Sequence, residues 1–309
     1  MERIVFMGTP AFAETVLSAL IGRYEIAAVI TQPDAEAGRG RIPCPPPVKM
    51  RALENRLTVL QPARVRHPEV VEQIRSLNPS AIVVTAFGQI LPPSILSLPP
   101  HGCVNVHGSL LPRHRGAAPI AAAILAGDRE TGITIMLMDA GMDTGPILSQ
   151  ASLEIAPDDT TATLSERMAS LGSRLLLDTL PAWLSGQITP RKQDDSLATC
   201  TKMLKRENGL IDWALPAEMI ERQVRAFHPW PGAFSHWGER QLRILRAHPA
   251  SAEPSDLPPG TVVSAATKLA VVTGQGLLVL DMVQLAGRRP LPIEEFARGQ
   301  RGLVGAVLH

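Results

Sequence analysis

The first apolar run, Ile4 to Met7, stops at Gly8-Thr9-Pro10, after which Phe12, Val16, Leu17 and Leu20 recur at helical spacing. This predicts a short strand and then a helix, with Thr9 as N-cap and Pro10 in the first helical position, where its missing N–H leaves nothing unpaired. The alternation repeats. Ile26 to Ile30 predicts a strand, Pro68 opens a helix with Val70, Val71, Ile74 and Leu77 on one face, and Ala81 to Thr85 predicts another strand. Cys103 to His107 and Ile133 to Met138 continue the series, and Leu164, Met168, Leu171 and Leu175 mark a long helix after Asp158-Asp159. Strands without polar alternation, separated by amphipathic helices, imply an α/β fold. Its mostly parallel sheet is covered on both faces, with the ligand crevice at the strands' C-terminal ends.

The pattern changes near Gly186. Residues 187–206 are polar and aperiodic and read as a linker between a first domain, 1–186, and a second, 207–309. The second holds one helical segment (Met219, Ile220, Val224, Phe227). Short strand candidates follow at Leu242 to Ala247, Thr261 to Ser264, Leu269 to Thr273 and Leu277 to Val283, punctuated by Pro258-Pro259-Gly260 and Gly274-Gln275-Gly276. That spacing predicts a small β-barrel. Pro43 to Pro47 has four prolines in five positions, which predicts extended chain and not helix.

At 309 residues and 45% hydrophobic content, the chain is too long for one comfortable core and too apolar to be disordered, in keeping with two domains. The 30 Lys and Arg against 29 Asp and Glu neither demand nor exclude a nucleic-acid partner, so charge is informative only locally. Cys44, Cys103 and Cys200 are odd in number and lack metal-ligand spacing, which argues against a disulfide framework or zinc site and for a reducing compartment. No apolar stretch approaches the roughly 20 residues that span a bilayer. The expectation is a cytoplasmic protein without membrane contact.

Val104 to Pro112 is the most informative segment. Residues two apart on a strand point the same way, so Asn105 and His107 share a face at the C-terminal end of the sheet. An isolated Asn-x-His pair is ordinarily buried and satisfied by backbone. Here Gly108 permits close approach, and Leu111-Pro112 leads into an extended loop whose amides the sheet cannot all use, which suits a flat heterocycle. A second loop, Met138 to Pro146, follows a predicted strand and carries Asp139 and Asp143. A parallel sheet brings it beside the first motif, where one carboxylate can orient or charge His107. Asp143 is the better candidate, because Thr144-Gly145-Pro146 fixes the turn around it, whereas Asp139 reads as a solvated turn.

Asn105 to Pro119 (NVHGSLLPRHRGAAP), followed by Gly141-Met142-Asp143-Thr144-Gly145, resembles the signature of the folate-dependent formyltransferases, most closely the branch acting on methionyl-tRNA. The resemblance runs through the chain: Gly8-Thr9-Pro10, Thr31-Gln32-Pro33-Asp34, Gly38-Arg39-Gly40, Ala86 to Pro92, and Pro229-Trp230-Pro231. It implies a Rossmann-like domain followed by a barrel of the oligonucleotide-binding type that binds tRNA. It further implies Asn105, His107 and Asp143 as catalytic residues, and Ser109, Leu110, Leu111 and Pro112 with Phe87, Gly88 and Leu91 as the folate site. The implied co-substrate is 10-formyltetrahydrofolate, without a metal, and the implied partner is initiator methionyl-tRNA, taken up by a monomer. His114 departs from the Trp or Tyr usual there, and Cys200 from a usual Tyr in the linker.

The chemistry is coherent on physical grounds. An α-amino group, with a pKa of about 7.7–8.0, has a usable neutral fraction available near pH 7 and needs no strong base. Its attack on a formyl carbon builds negative charge on oxygen, to which the Asn105 amide and a protonated His107 can donate, with Asp143 favouring the imidazolium and water relaying the proton to the leaving nitrogen. Between Arg39 and Arg66 stand seven basic residues against Glu54 alone. Arg39, Arg41 and Lys49 are the candidates there for tRNA contact. Arg240, Arg243 and Arg246, three apart, need not face one way.

Rival readings are weaker. An amino sugar nucleotide formyltransferase shares the catalytic residues but not the glycine-arginine loop, and a glycinamide ribonucleotide enzyme is a single shorter domain. A non-catalytic dinucleotide-binding module lacks its Gly-x-Gly-x-x-Gly fingerprint, since only Gly8 follows the first strand. His101, His107 and His114, six and seven apart, do not all share one face as hydrolase metal ligands.

Overall fold

Thr9 does not cap the first helix. In the computed structural model, which describes residues 2–37, 42–250, 256–265 and 268–309, β1 (Arg3–Gly8) passes through Thr9 to Pro10, the N-cap of α1 (Ala11–Leu20). The Thr9 hydroxyl instead donates to the Phe87 carbonyl at 3.0 Å. Gly8 is required at the end of β1, because a Cβ there would stand 2.7 Å from that of Ala13 and 2.9 Å from the Thr85 carbonyl.

The chain continues through β2 (Glu25–Ile30), the hairpin β3 (Ala35–Ala37) and β4 (Ile42–Cys44), α2 (Pro47–Glu54), β5 (Val59–Leu60), α3 (Pro68–Ser76), β6 (Ala81–Thr85) and α4 (Pro93–Leu96). The proline run is extended only as far as Pro46; Pro47 opens α2, where a proline costs no hydrogen bond. Next come β7 (Cys103–His107), β8 (Arg115–Gly116), α5 (Pro119–Ala126), β9 (Glu130–Leu137), β10 (Ile147–Glu154), α6 (Thr161–Leu184) and β11 (Cys200–Thr201). Seven strands form one sheet in the order β10-β9-β7-β6-β1-β2-β5. It is parallel from β7 to β5, while β9 and β10 are antiparallel additions. Every residue of β6 and β7 is buried, as two covered faces require. On one side Val5, Met7, Ile82 and Val84 pack with Val71 and Ile74 of α3. The strand order reverses between β1 and β6, the place where such sheets open a ligand crevice.

Two compact units result: residues 1–119, 130–154 and 165–201, and residues 120–129, 155–164 and 202–309. The second contains α7 (Ala217–Ala226), β12 (Ala233–Trp237), β13 (Arg240–Ala250), β14 (Val262–Ala265), β15 (Lys268–Val272), β16 (Leu277–Leu285), β17 (Leu291–Pro292) and α8 (Ile293–Arg298). The strands are ordered β12-β13-β16-β15-β14, with β17 on β16, all antiparallel. Their inner face packs Leu242, Ile244, Val271, Leu278, Leu280 and Val283 against Ile220 and Val224 of α7. The last residues join the two edges. Gly305 and Ala306 bond to Val262, Leu308 to Gly260, and His309 exchanges both peptide bonds with His236 of β12. The predicted small barrel is therefore closed by a terminal strap.

Candidate active site

β7 sends the side chains of Asn105 and His107 from one face, 8% and 5% exposed. Asp143 reaches them by an unexpected route. Because β9 is antiparallel to β7, its last residue, Leu137, lies opposite Val104 and not beside His107. The loop after β9 then folds back to bring its carboxylate to both residues. Asn105 Nδ2 donates to Asp143 Oδ1 at 3.5 Å, and His107 Nδ1 lies 3.6 Å from Asp143 Oδ2. The Gly116 N–H donates to the same Oδ2 at 2.8 Å. Asp143 has a φ of 54°, a left-handed conformation that costs a non-glycine residue about 1–3 kcal/mol and persists only where its surroundings enforce it. Asp139 accepts from Gly141 N and Thr144 Oγ1 in an exposed turn.

His107 Nε2 stands 3.1 Å from the His114 carbonyl. A carbonyl only accepts, so this nitrogen carries the ring proton. Burial pushes the imidazole below its ordinary value, more than the Asp143 carboxylate and the His114 carbonyl raise it. The fold thus disfavours the protonated ring, and the Asp143 carboxylate is the charged group that favours it.

The strip after β7 is held by Ser109 itself and by Thr134 and Gln150, which sequence reasoning passed over. Ser109 Oγ donates to the Arg113 carbonyl at 2.6 Å. Thr134 Oγ1 donates to the Ser109 carbonyl at 2.7 Å and accepts the Leu111 N–H at 3.0 Å. Gln150 Nε2 donates to the Leu111 carbonyl at 2.9 Å. Leu111 is buried, Leu110 and Pro112 half-buried. In the loop after β6, Phe87 and Leu91 face the core with Val84 and Ile95. Gly88 has a φ of 84° and lies against the Gln32 amide. This leaves the peptide groups of Gly88 and Ile90 without a hydrogen-bond partner among the described residues, and Ile90 is 92% exposed.

Stretch 187–206 also reaches this site: Thr199 Oγ1 accepts the His114 N–H at 2.8 Å, and Gln193 donates to the Asp143 carbonyl at 2.8 Å. A lone Gln or Thr in a polar run gives no periodic signal, and nothing in the sequence marks them.

Of the tRNA candidates, Arg39 and Arg41 lie outside the described residues. Lys49, in α2, is paired with both oxygens of Asp34 at 2.8 Å. In the second unit Arg243 and Arg246 share a face, while Arg240 stands over the Trp237 ring at 4.2 Å. The register of β13 against β16 shifts between Ile244 and Arg246, so Leu242, Ile244 and Ala247 point into the core while Arg243 and Arg246 point out. Arg246, His248 and Lys268 surround Asp281, at 4.0, 2.9 and 2.6 Å. Burial tends to raise the Asp281 carboxyl, but hydrogen bonds from Lys268 and His248 outweigh it and hold it below the usual carboxylate range. One carboxylate thus faces three basic side chains.

Residues 2–180 match the formyl transferase family, and residues 203–301 match its C-terminal domain. The chain belongs to the formyl transferase family. Among the relatives of this formyl transferase, a methionyl-tRNA formyltransferase of Roseiflexus castenholzii is 49% identical over 301 residues, covering 97% of this chain and 96% of that one. One of Citrifermentans bemidjiense is 47% identical over 308 residues, with 99% and 96% covered. Among solved structures, HypX from Aquifex aeolicus in complex with tetrahydrofolic acid shares the fold at a TM-score of 0.66 and 17% identity. It covers 98% of this formyl transferase, which spans 48% of that protein's length.

Proposed function

We propose that this formyl transferase carries the formyl group of 10-formyltetrahydrofolate to the α-amino group of initiator methionyl-tRNA. The observation that carries the reading is the meeting of Asn105, His107 and Asp143 at one point, in a chain that aligns almost end to end with methionyl-tRNA formyltransferases. The folate supplies the formyl group. A flat heterocycle with polar edges fits the open peptide groups of Gly88 and Ile90 and the strip Ser109 to Pro112, with Phe87, Leu91 and Leu111 as buried apolar support.

Asn105 supports the transfer as an oxyanion donor, since among the described residues its side-chain amide makes one long bond, to Asp143, and its second N–H is open. The Nε2–H of His107, now on the His114 carbonyl, can be shared with the same oxygen. The new bond joins the amine nitrogen to the formyl carbon while the bond from that carbon to the folate nitrogen breaks. One proton leaves the amine and one reaches the folate nitrogen. The His107–Asp143 pair can hold that proton in transit, as the carboxylate offsets the cost of charging a buried ring.

In this reading residues 1–186 do the chemistry and the barrel, 207–309, binds tRNA through the outward face of β13, with Arg39, Arg41 and Lys49 nearer the acceptor end. The enzyme works in the cytoplasm as a monomer. Among the described residues no helix is long and apolar enough to cross a membrane. The test is to mix the protein with 10-formyltetrahydrofolate, offer methionyl-tRNA, glycinamide ribonucleotide and an amino sugar nucleotide separately, and follow loss of the formyl donor. Loss only with methionyl-tRNA is expected; transfer to the sugar nucleotide and not to tRNA would overturn the proposal.

A further inference from the structure

Gln193 is 5% exposed, and every polar atom of its side chain is engaged at the active site. Nε2 donates to the carbonyls of Asp143 and Gly145, at 2.8 and 2.7 Å. Oε1 accepts from Nε and Nη2 of Arg115, at 3.0 and 2.8 Å. These partners fix the amide's orientation, because a carbonyl only accepts and a guanidinium only donates. Arg115, itself 6% exposed, also donates to Asp195 at 2.7 Å.

The two carbonyls bracket the turn that presents the carboxylate. Asp143 is left-handed there, and a Cβ on Gly145 would collide with the Leu137 carbonyl, so the turn is both strained and tight. Arg115 belongs to the opposite wall. Its N–H donates to the Thr199 carbonyl at 2.8 Å, and its carbonyl accepts from Thr201 Oγ1 at 3.1 Å. That wall touches the reacting residues at two points: His114 presents its carbonyl to His107, and Gly116 its N–H to Asp143. Gln193 bonds through one amide to both walls.

We propose that Gln193 is a positioning residue for formyl transfer, tying the Asp143 turn to the Arg115 wall and so setting where the carboxylate stands relative to His107 and Asn105. The proposal rests on the reading of the function above. It predicts that the two N–H donors matter and not merely the anchoring of Arg115. Gln193→Glu separates these roles, since it keeps an acceptor for the guanidinium but turns an oxygen toward the two carbonyls. Gln193→Asn retains the groups on a shorter stem, and Asp195→Ala, at a side chain 71% exposed, removes only the outer partner of Arg115.

The experiment measures kcat, KM for both substrates, thermal stability, and the titration of the His107 ring by NMR without substrate. Asp143 and His114 are the titratable groups acting on that ring. β6 and the stretch Gly132 to Leu137 of β9 carry none, and α6 meets β7 where Gly172 approaches Val106. The expected result is a kcat lowered on the order of 100-fold in Gln193→Glu, as for a misplacement of about 1 Å. KM should be unchanged, and the ring should titrate at lower pH because the carboxylate has moved away. A smaller loss is expected in Gln193→Asn and none in Asp195→Ala. A Gln193→Glu enzyme with wild-type kcat and wild-type ring titration would overturn the proposal, as would a change in KM alone. If Gln193→Glu does not fold, Gln193→Asn decides on the same readouts. The ring titration needs no substrate, so a wild-type protein inactive on methionyl-tRNA would refute the function while leaving the positioning role to be judged by NMR.

Discussion

His107 is buried next to a carboxylate, and the balance between those two facts decides its behaviour. Burial dominates, so its pKa lies below the ordinary histidine value, near 6.5 in an unfolded chain. The sign of the stability effect follows. Between those two values the unfolded chain binds a proton that the folded protein does not, so this contribution to stability is complete above about pH 6.5 and is lost as pH falls toward the folded pKa. Denaturant unfolding at pH 7.5 and 5.5 should show a smaller drop in stability for His107→Gln than for the wild type; an equal drop would place the pH sensitivity elsewhere. For catalysis, Asn105→Ala and His107→Ala each remove a donor, and kcat should fall about 10²–10³-fold while folate affinity, measured by titration, stays near normal. Retained turnover in either variant would end its assignment. That Asn105 and His107 share a buried strand was legible in the sequence, because residues two apart in an apolar run point the same way; their catalytic assignment rested on the family resemblance. The charge of the ring was not legible, since it depends on enclosure by distant segments.

Elements defined by continuous apolar runs follow the sequence closely: β6 and β7 occupy the expected residues, and α3 begins at Pro68. β10 escaped notice because its polar residues, Ser149, Gln150 and Ser152, suit a strand at the edge of a sheet and leave no apolar signature. The direction of β9 was equally hidden, since a buried run looks alike whichever way it points. On β13 the sequence could not show that Arg243 and Arg246 share the outer face, because the shift in register that brings them together is a property of the pairing and not of the strand. If that face meets tRNA phosphates, the Arg243→Ala, Arg246→Ala double variant should bind methionyl-tRNA with a slope of log affinity against log salt shallower by nearly two units. A slope equal to that of the wild type would dismiss this face.

At the scale of the whole molecule, the boundary near Gly186 to Arg206 is not a simple cut. Residues 120–129 and 155–164 belong to the unit that contains the barrel. There Arg225 donates to the Asp159 carbonyl at 3.0 Å, and Thr161 Oγ1 to that of Ala226 at 2.6 Å. A fragment ending at Arg206 would leave residues 155–164 without these partners. It is expected to bind folate but to melt below the intact protein by several degrees, each lost kcal/mol lowering the midpoint by about 2–4 °C in a domain of this size. An unchanged midpoint would show that those contacts contribute nothing. The strap formed by residues 305–309 has a different consequence. It occupies the exposed hydrogen-bonding edges of β14 and β12 at once, and an unoccupied edge is a template on which a second chain can pair. Deleting those five residues would bare the peptide groups of Val262 and His236, although Ile211 would still cover β12 at Phe234, so the shortened enzyme should associate as its concentration rises in sedimentation runs where the chain with its strap stays monodisperse.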